Sequence, residues 1–145
     1  HSSALLVIQN GRIVFDWGRT TEKISLHSVR KSLLNSLYGI AVTAHQIDAT
    51  LNSLGIDDSP FPLTAVEKRA TVRNLLMARS GVYIEAAAET ESMKRDRPAR
   101  GSHPPGTFFY YNNWDFNVLG TILEQHTGQS VLTRIIHEAF RFRRN

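Results

Sequence analysis

Apolar residues fall along this chain first as two short extended runs and then as a series of helical stripes. Residues 4–9 (ALLVIQ) and 12–17 (RIVFDW) are rich in β-branched and aromatic side chains, with Asn10-Gly11 between them. Asn-Gly readily takes the positive φ angles of a two-residue type I′ turn, so this stretch predicts a β-hairpin. From Ser28 to about Ala44 the recurrence of Val29, Leu33, Leu34, Leu37, Ile40, Ala41 and Ala44 predicts a helix. Little of its circumference is polar. That predicts burial on most sides, and Gly39 predicts close packing against a neighbour.

The segment 46–62 is rich in turn formers. Thr64 and Glu67 have the spacing of a capping box, and Thr71 to about Arg79 predicts a helix that stops at Ser80-Gly81. Residues 83–103 read as polar loop with a short helix around Glu85–Met93. Pro104-Pro105-Gly106 forces a turn. Two more amphipathic helices follow, Asn117 to about His126, ended by Gly128, and Ser130 to about Phe140.

The order is therefore a hairpin followed by helices. A lone hairpin is marginal in water, and no further strand is evident to cover it.

The chain has 145 residues, 41% hydrophobic and 21% charged, enough for one domain with a core. Net charge is +4. The basic residues gather at Lys94, Arg95, Arg97 and Arg100 and at Arg141, Arg143 and Arg144, but no nucleic-acid motif accompanies them. A solvated loop and a frayed tail explain them better, and no nucleic-acid partner is expected. The absence of cysteine removes disulfides, thiolate metal sites and cysteine nucleophiles. No apolar run approaches the roughly 20 residues needed to span a bilayer. The first residue is His1 rather than Met, so an export signal could precede it, and the compartment stays open.

Two constellations carry chemistry. Ser28 and Lys31 stand three positions apart at the start of a predicted helix, on one face. A serine hydroxyl is a poor nucleophile near neutral pH without a neighbouring base. Taken alone, the pair is better read as a capping serine and a solvated lysine. The second constellation is PPGTFFYYNNWDFNVLG over residues 104–120. A tyrosine phenol can move protons if nearby cations lower its pKa, and an asparagine amide offers both donor and acceptor. Both Tyr110 and Tyr111 fit a Tyr-x-Asn frame.

These segments resemble the serine β-lactamase and penicillin-binding-protein-like family, particularly its class C and esterase branches. The resemblance rests on four stretches in the family's order: ALLVIQNGRIVFDWG, SVRKSLLNSLYGIAV, TVRNLLMARSGVY, and PGTFFYYNNWDFNVLG with its trailing TILEQHTGQS. A short motif counts only in its structural context, and four in order supply that context. The resemblance implies an α/β (α+β) fold of the β-lactamase/transpeptidase type, here a hairpin plus a mainly helical region without the later strands of the sheet. It implies one domain over 1–145, cut short: hairpin and nucleophile helix over 1–44, helical region over 45–140, tail over 141–145. It implies Ser28 as acylated nucleophile, Lys31 as its proton acceptor or electrostatic partner, and Tyr111 as the group assisting proton transfer. Asn113 would hold Lys31 and a substrate amide. Tyr111 is favoured over Tyr110 for its distance from Pro105-Gly106-Thr107.

The family's third motif, Lys-Thr-Gly or His-x-Gly on an edge strand, has no counterpart after residue 113. The expected function is hydrolysis of an ester, amide or β-lactam through an acyl-enzyme, with ester or amide ahead of β-lactam. The 145-residue chain alone is expected to be weakly active at best, because an oxyanion donor is typically worth about 10²–10³ in rate. The alternatives are a non-catalytic helical interaction module and a D-Ala-D-Ala peptidase. An unpaired strand edge also invites self-association. No metal or other cofactor is implied. A Ser-His-Asp triad lacks its Gly-x-Ser-x-Gly elbow, and Glu85, Glu89 and Glu91 read as a solvated acidic loop.

Overall fold

The computed structural model describes residues 2–41 and 44–135. Strands β1 (Ala4–Gln9) and β2 (Arg12–Gly18) pair antiparallel, with Leu5 opposite Trp17 and Val7 opposite Phe15. Asn10 and Gly11 take φ of 51° and 74°, the positive pair that a type I′ turn requires. A register shift between Val7 and Ile8 marks a bulge in the ladder. Among the described residues, nothing covers either face of the hairpin. Leu5, Val7, Ile13, Val14, Phe15 and Trp17 are all exposed.

The helices are α1 (Arg30–Ala41), α2 (Ala44–Ile47), α3 (Val72–Leu76), α4 (Glu91–Arg95) and α5 (Trp114–Thr127). Residues 131–135 are also helical. The remainder of the predicted last helix, with Ile136 and Phe140, and the tail with its arginines lie outside the described residues. The core sits where α5 packs against α1 and α3. Leu51, Leu75, Leu119 and Leu123 are fully enclosed there, and the Tyr38 hydroxyl donates to the Leu119 carbonyl at 2.6 Å, tying α1 to α5.

Local sequence explains most element ends. Thr64 and Glu67 do cap each other: the Thr64 N–H donates to Glu67 Oε2 at 2.7 Å and the Glu67 N–H to Thr64 Oγ1 at 3.2 Å. The element they open is only a 3₁₀ turn, Glu67–Arg69. Thr71 and Asn74 make a second reciprocal cap for α3. Gly128, at φ 66°, closes α5. Helix α3 stops at Leu76, short of the expected Arg79, because Ala78 turns left-handed at φ 52°.

Four expectations are corrected. Helix α1 is not buried on most sides: Leu34, Leu37 and Tyr38 face the core, while Leu33 and Ile40, and Val29 just before the helix, are exposed. Gly39 has open space where a Cβ would stand, so no close neighbour explains it among the described residues. The acidic and basic loop residues are not simply solvated. Glu89 is buried against Arg97, and Glu67 against Arg100, so the 94–100 cluster spends two of its cations on buried carboxylates. The short helix expected around Glu85–Met93 lies later, at α4.

Candidate functional site

Ser28 sits in a 3₁₀ turn, His27–Val29, immediately before α1. The turn is closed by the Val29 N–H on the Leu26 carbonyl at 2.9 Å. His27 holds a left-handed φ of 43°, an uncommon conformation directly before the serine. At this end of α1 the aligned peptide dipoles favour negative charge developing on the Ser28 oxygen.

Lys31, one turn on, points inward and is only 6% exposed. Its Nζ donates to the Tyr111 phenol oxygen at 2.7 Å and to Asn113 Oδ1 at 2.9 Å. It also lies over two aromatic faces, 4.0 Å from the Tyr111 ring centroid and 5.0 Å from that of Phe116.

Tyr111 and Asn113 reach this point because of what precedes them. The Tyr110 N–H donates to the Ala78 carbonyl at 3.0 Å, and the Gly106 N–H to the Arg79 carbonyl at 2.8 Å, so the 104–111 loop is laced to the 78–81 segment. Gly81 makes that approach possible: a Cβ there would lie 2.7 Å from the His103 carbonyl oxygen. Asn112 then caps the incoming helix, its Oδ1 accepting from the Asp115 N–H at 2.8 Å. That leaves Asn113 free of capping. Its amide donates to the Ala88 carbonyl at 2.8 Å, which turns its oxygen toward Lys31. Tyr110 goes elsewhere. Its hydroxyl donates to the Met93 carbonyl at 2.6 Å and its ring packs edge-on against Tyr83.

The electrostatics follow from these contacts. Burial raises the Tyr111 phenol, but hydrogen bonds with Lys31 and Ser28, together with the charges of Lys31 and Arg30, outweigh it and leave the group below its ordinary value. The phenol is bonded to the lysine, and Ser28 lies near enough to contribute to lowering it. The described hydrogen bonds of Lys31 run to Tyr111 and Asn113. All four sequence-chosen residues meet at one place.

A cavity of about 610 Å³ is lined by Ser28, Tyr111 and Asn113 together with Thr90 and Ser92. The part of Thr90 and Ser92 in it was not legible in the sequence, where 83–103 reads as loop. Asp115 was also missed. It is fully enclosed beside Ser80 and Asn112, and burial pushes its carboxyl up to about 7 against the opposing pull of those neighbours and of Lys31. Its place in the first turn of α5 was the available signal, since acids favour helix N-termini.

Two solved structures resemble this one, both of SurE. One, described as SurE with D-Leu, shares 26% identity at a TM-score of 0.59 and covers 91% of this chain but 33% of its own. The other shares 25% identity at a TM-score of 0.60 and covers 95% of this chain and 34% of its own. This chain therefore spans about a third of the SurE length. No curated protein matches it. The model of the family described as Beta-lactamase matches residues 1–140, a span that holds Ser28, Lys31, Tyr111 and Asn113 alike. The chain belongs to the β-lactamase family.

Proposed function

We propose that this chain carries the acylating centre of a serine hydrolase acting on an ester, an amide or a β-lactam through an acyl-Ser28 intermediate. The observation that supports this best is the pair of hydrogen bonds from Lys31 to Tyr111 and Asn113, with Ser28 lining the same cavity as those two residues.

In this reading the lowered phenol accepts the Ser28 proton while Oγ bonds to the substrate carbonyl carbon. Lys31 stabilises the phenolate by charge and hydrogen bond. The tetrahedral intermediate collapses as the bond to the leaving group breaks, and Tyr111 returns the proton to that group. Water then attacks the acyl-enzyme by the same route in reverse order, releasing the acid and Ser28. Asn113 holds Lys31 in place. The chemistry needs no metal or organic cofactor.

Simple esters and amides rank ahead of β-lactams. D-Leu in one SurE structure adds D-aminoacyl groups, and with them the peptidase alternative, to the candidates. The exposed apolar hairpin favours one further reading, an association surface alongside or instead of catalysis.

A fluorophosphonate or penicillin-type probe tests the proposal. Mass spectrometry should find the adduct on Ser28 and none on Ser28→Ala. Equal labelling of both proteins would remove Ser28 from the mechanism.

A further inference from the structure

The charges around the cavity are one-sided. Thr90 and Ser92 line the cavity with Ser28, while the acids flanking Thr90 are engaged elsewhere, Glu89 with Arg97 and Glu91 with Lys94. Among the described residues no carboxylate lines the cavity, and Arg30 is the one arginine or lysine that does. Arg30 also borders a smaller space of about 230 Å³ that reaches Lys31 from the side of Phe116. It makes no ion pair among the described residues. Arg19, Arg73, Arg95, Arg97 and Arg100 each pair with an acid, whereas Arg12, Arg69 and Arg79, like Arg30, form no ion pair among the described residues, and of these four only Arg30 lines the cavity. An unpaired guanidinium at the mouth of an acid-free cavity is a ready partner for a carboxylate, which it can hold through two parallel hydrogen bonds.

We infer that Arg30 is a specificity-determining residue that selects acyl donors bearing a carboxylate near the scissile carbonyl, an inference that rests on the acyl-Ser28 reading. The hydroxyls of Thr90 and Ser92 supply neutral polar contacts to the rest of such a substrate. Neutral acyl chains of equal length fill the same space without meeting the guanidinium.

The test compares mono-p-nitrophenyl glutarate, which carries a carboxylate, with p-nitrophenyl valerate, which does not. The ratio of kcat/KM for the two is measured on the 145-residue protein, on Arg30→Ala and Arg30→Lys, and on Arg69→Ala as a control for net charge. A charge-assisted hydrogen bond is worth at least about tenfold. The unaltered protein should prefer the anionic ester by that factor, through a lower KM. Arg30→Ala should bring the ratio to near one, Arg30→Lys should keep part of it, and Arg69→Ala should keep all of it. Added salt should erode the preference. A ratio near one in the unaltered protein, or one undiminished in Arg30→Ala, overturns the inference. If neither ester acylates Ser28, the hydrolase reading fails, and binding of glutarate monoamide, followed by NMR of the Arg30 side chain, decides the anion site on its own. Saturable binding lost in Arg30→Ala sustains it, and no binding overturns it.

Discussion

Lys31 and Tyr111, 80 positions apart in the chain, form the tightest polar contact of the site, a 2.7 Å hydrogen bond with the ammonium also 4.0 Å from the ring centroid. In the proposed mechanism the phenol so held passes protons between Ser28 and the leaving group. Tyr111→Phe should keep the fold and lower the rate of Ser28 labelling by about 10²–10⁴, the usual worth of a general acid–base group. Tyr110→Phe, which loses only the bond to the Met93 carbonyl, should leave labelling intact and cost about 1 kcal/mol of stability. Labelling rates and urea midpoints for the two proteins check this. Similar rates for Tyr111→Phe and the unaltered chain would refute it.

On the proposed mechanism, Lys31 should set the pH at which Ser28 is labelled. Its hydrogen bond and charge are among the causes that bring the Tyr111 phenol below its ordinary value of 10.0. In Lys31→Met those causes vanish while burial still raises the phenol. The phenolate fraction at any pH then falls, and the rise of labelling rate with pH should move to more alkaline values. A profile left in place would show that another group titrates.

Asp115 should make the fold less stable as pH rises. Its carboxyl is held at about 7, against 3.8 when free. Below pH 4 both the folded and unfolded chains hold the proton. Between about 4 and 7 only the unfolded chain releases it, so folding stability declines across that window, by at most about 4 kcal/mol, and is level above it. Asp115→Asn keeps the shape and removes the titration. Urea unfolding at pH 5 and pH 8 should show the decline in the unaltered protein and a much flatter response in the variant.

Glu67 and Arg100 present the opposite sign. Burial raises the Glu67 carboxyl, but Arg100 and the Thr64 cap outweigh it and leave the group lowered. That stabilisation is present above the ordinary carboxylate range and is lost as pH falls through the folded value. Arg100→Ala strands a buried carboxylate and should cost about 3–5 kcal/mol, whereas Glu67→Gln combined with Arg100→Met should cost less than the single change. Thermal melts of the single and double variants make the comparison.

The hairpin should drive self-association. Val7 and Phe15 face each other across the ladder with both side chains exposed. Sedimentation of the 145-residue chain is expected to show concentration-dependent oligomers, reduced by Val7→Lys with Phe15→Lys. A monomer at all concentrations would argue against an active strand edge.

What could be read from the residues alone was whatever depends on near neighbours. Asn10-Gly11 demands positive φ, Thr64 and Glu67 cap each other, Thr71 starts α3 and Gly128 ends α5, all through contacts within a few positions. The four site residues were likewise chosen from two short motifs and the order of four segments. Tertiary structure decided the rest. Which tyrosine reaches Lys31 depends on the lacing of 104–111 to 78–81 across Gly81. The exposure of Leu33 and Ile40 depends on whether another element lies beside α1, which helical periodicity does not encode. The burial of Glu67, Glu89 and Asp115 turned on distant or enclosing partners, because the cost of desolvating a charge is settled by the surroundings that fold around it rather than by the residue itself.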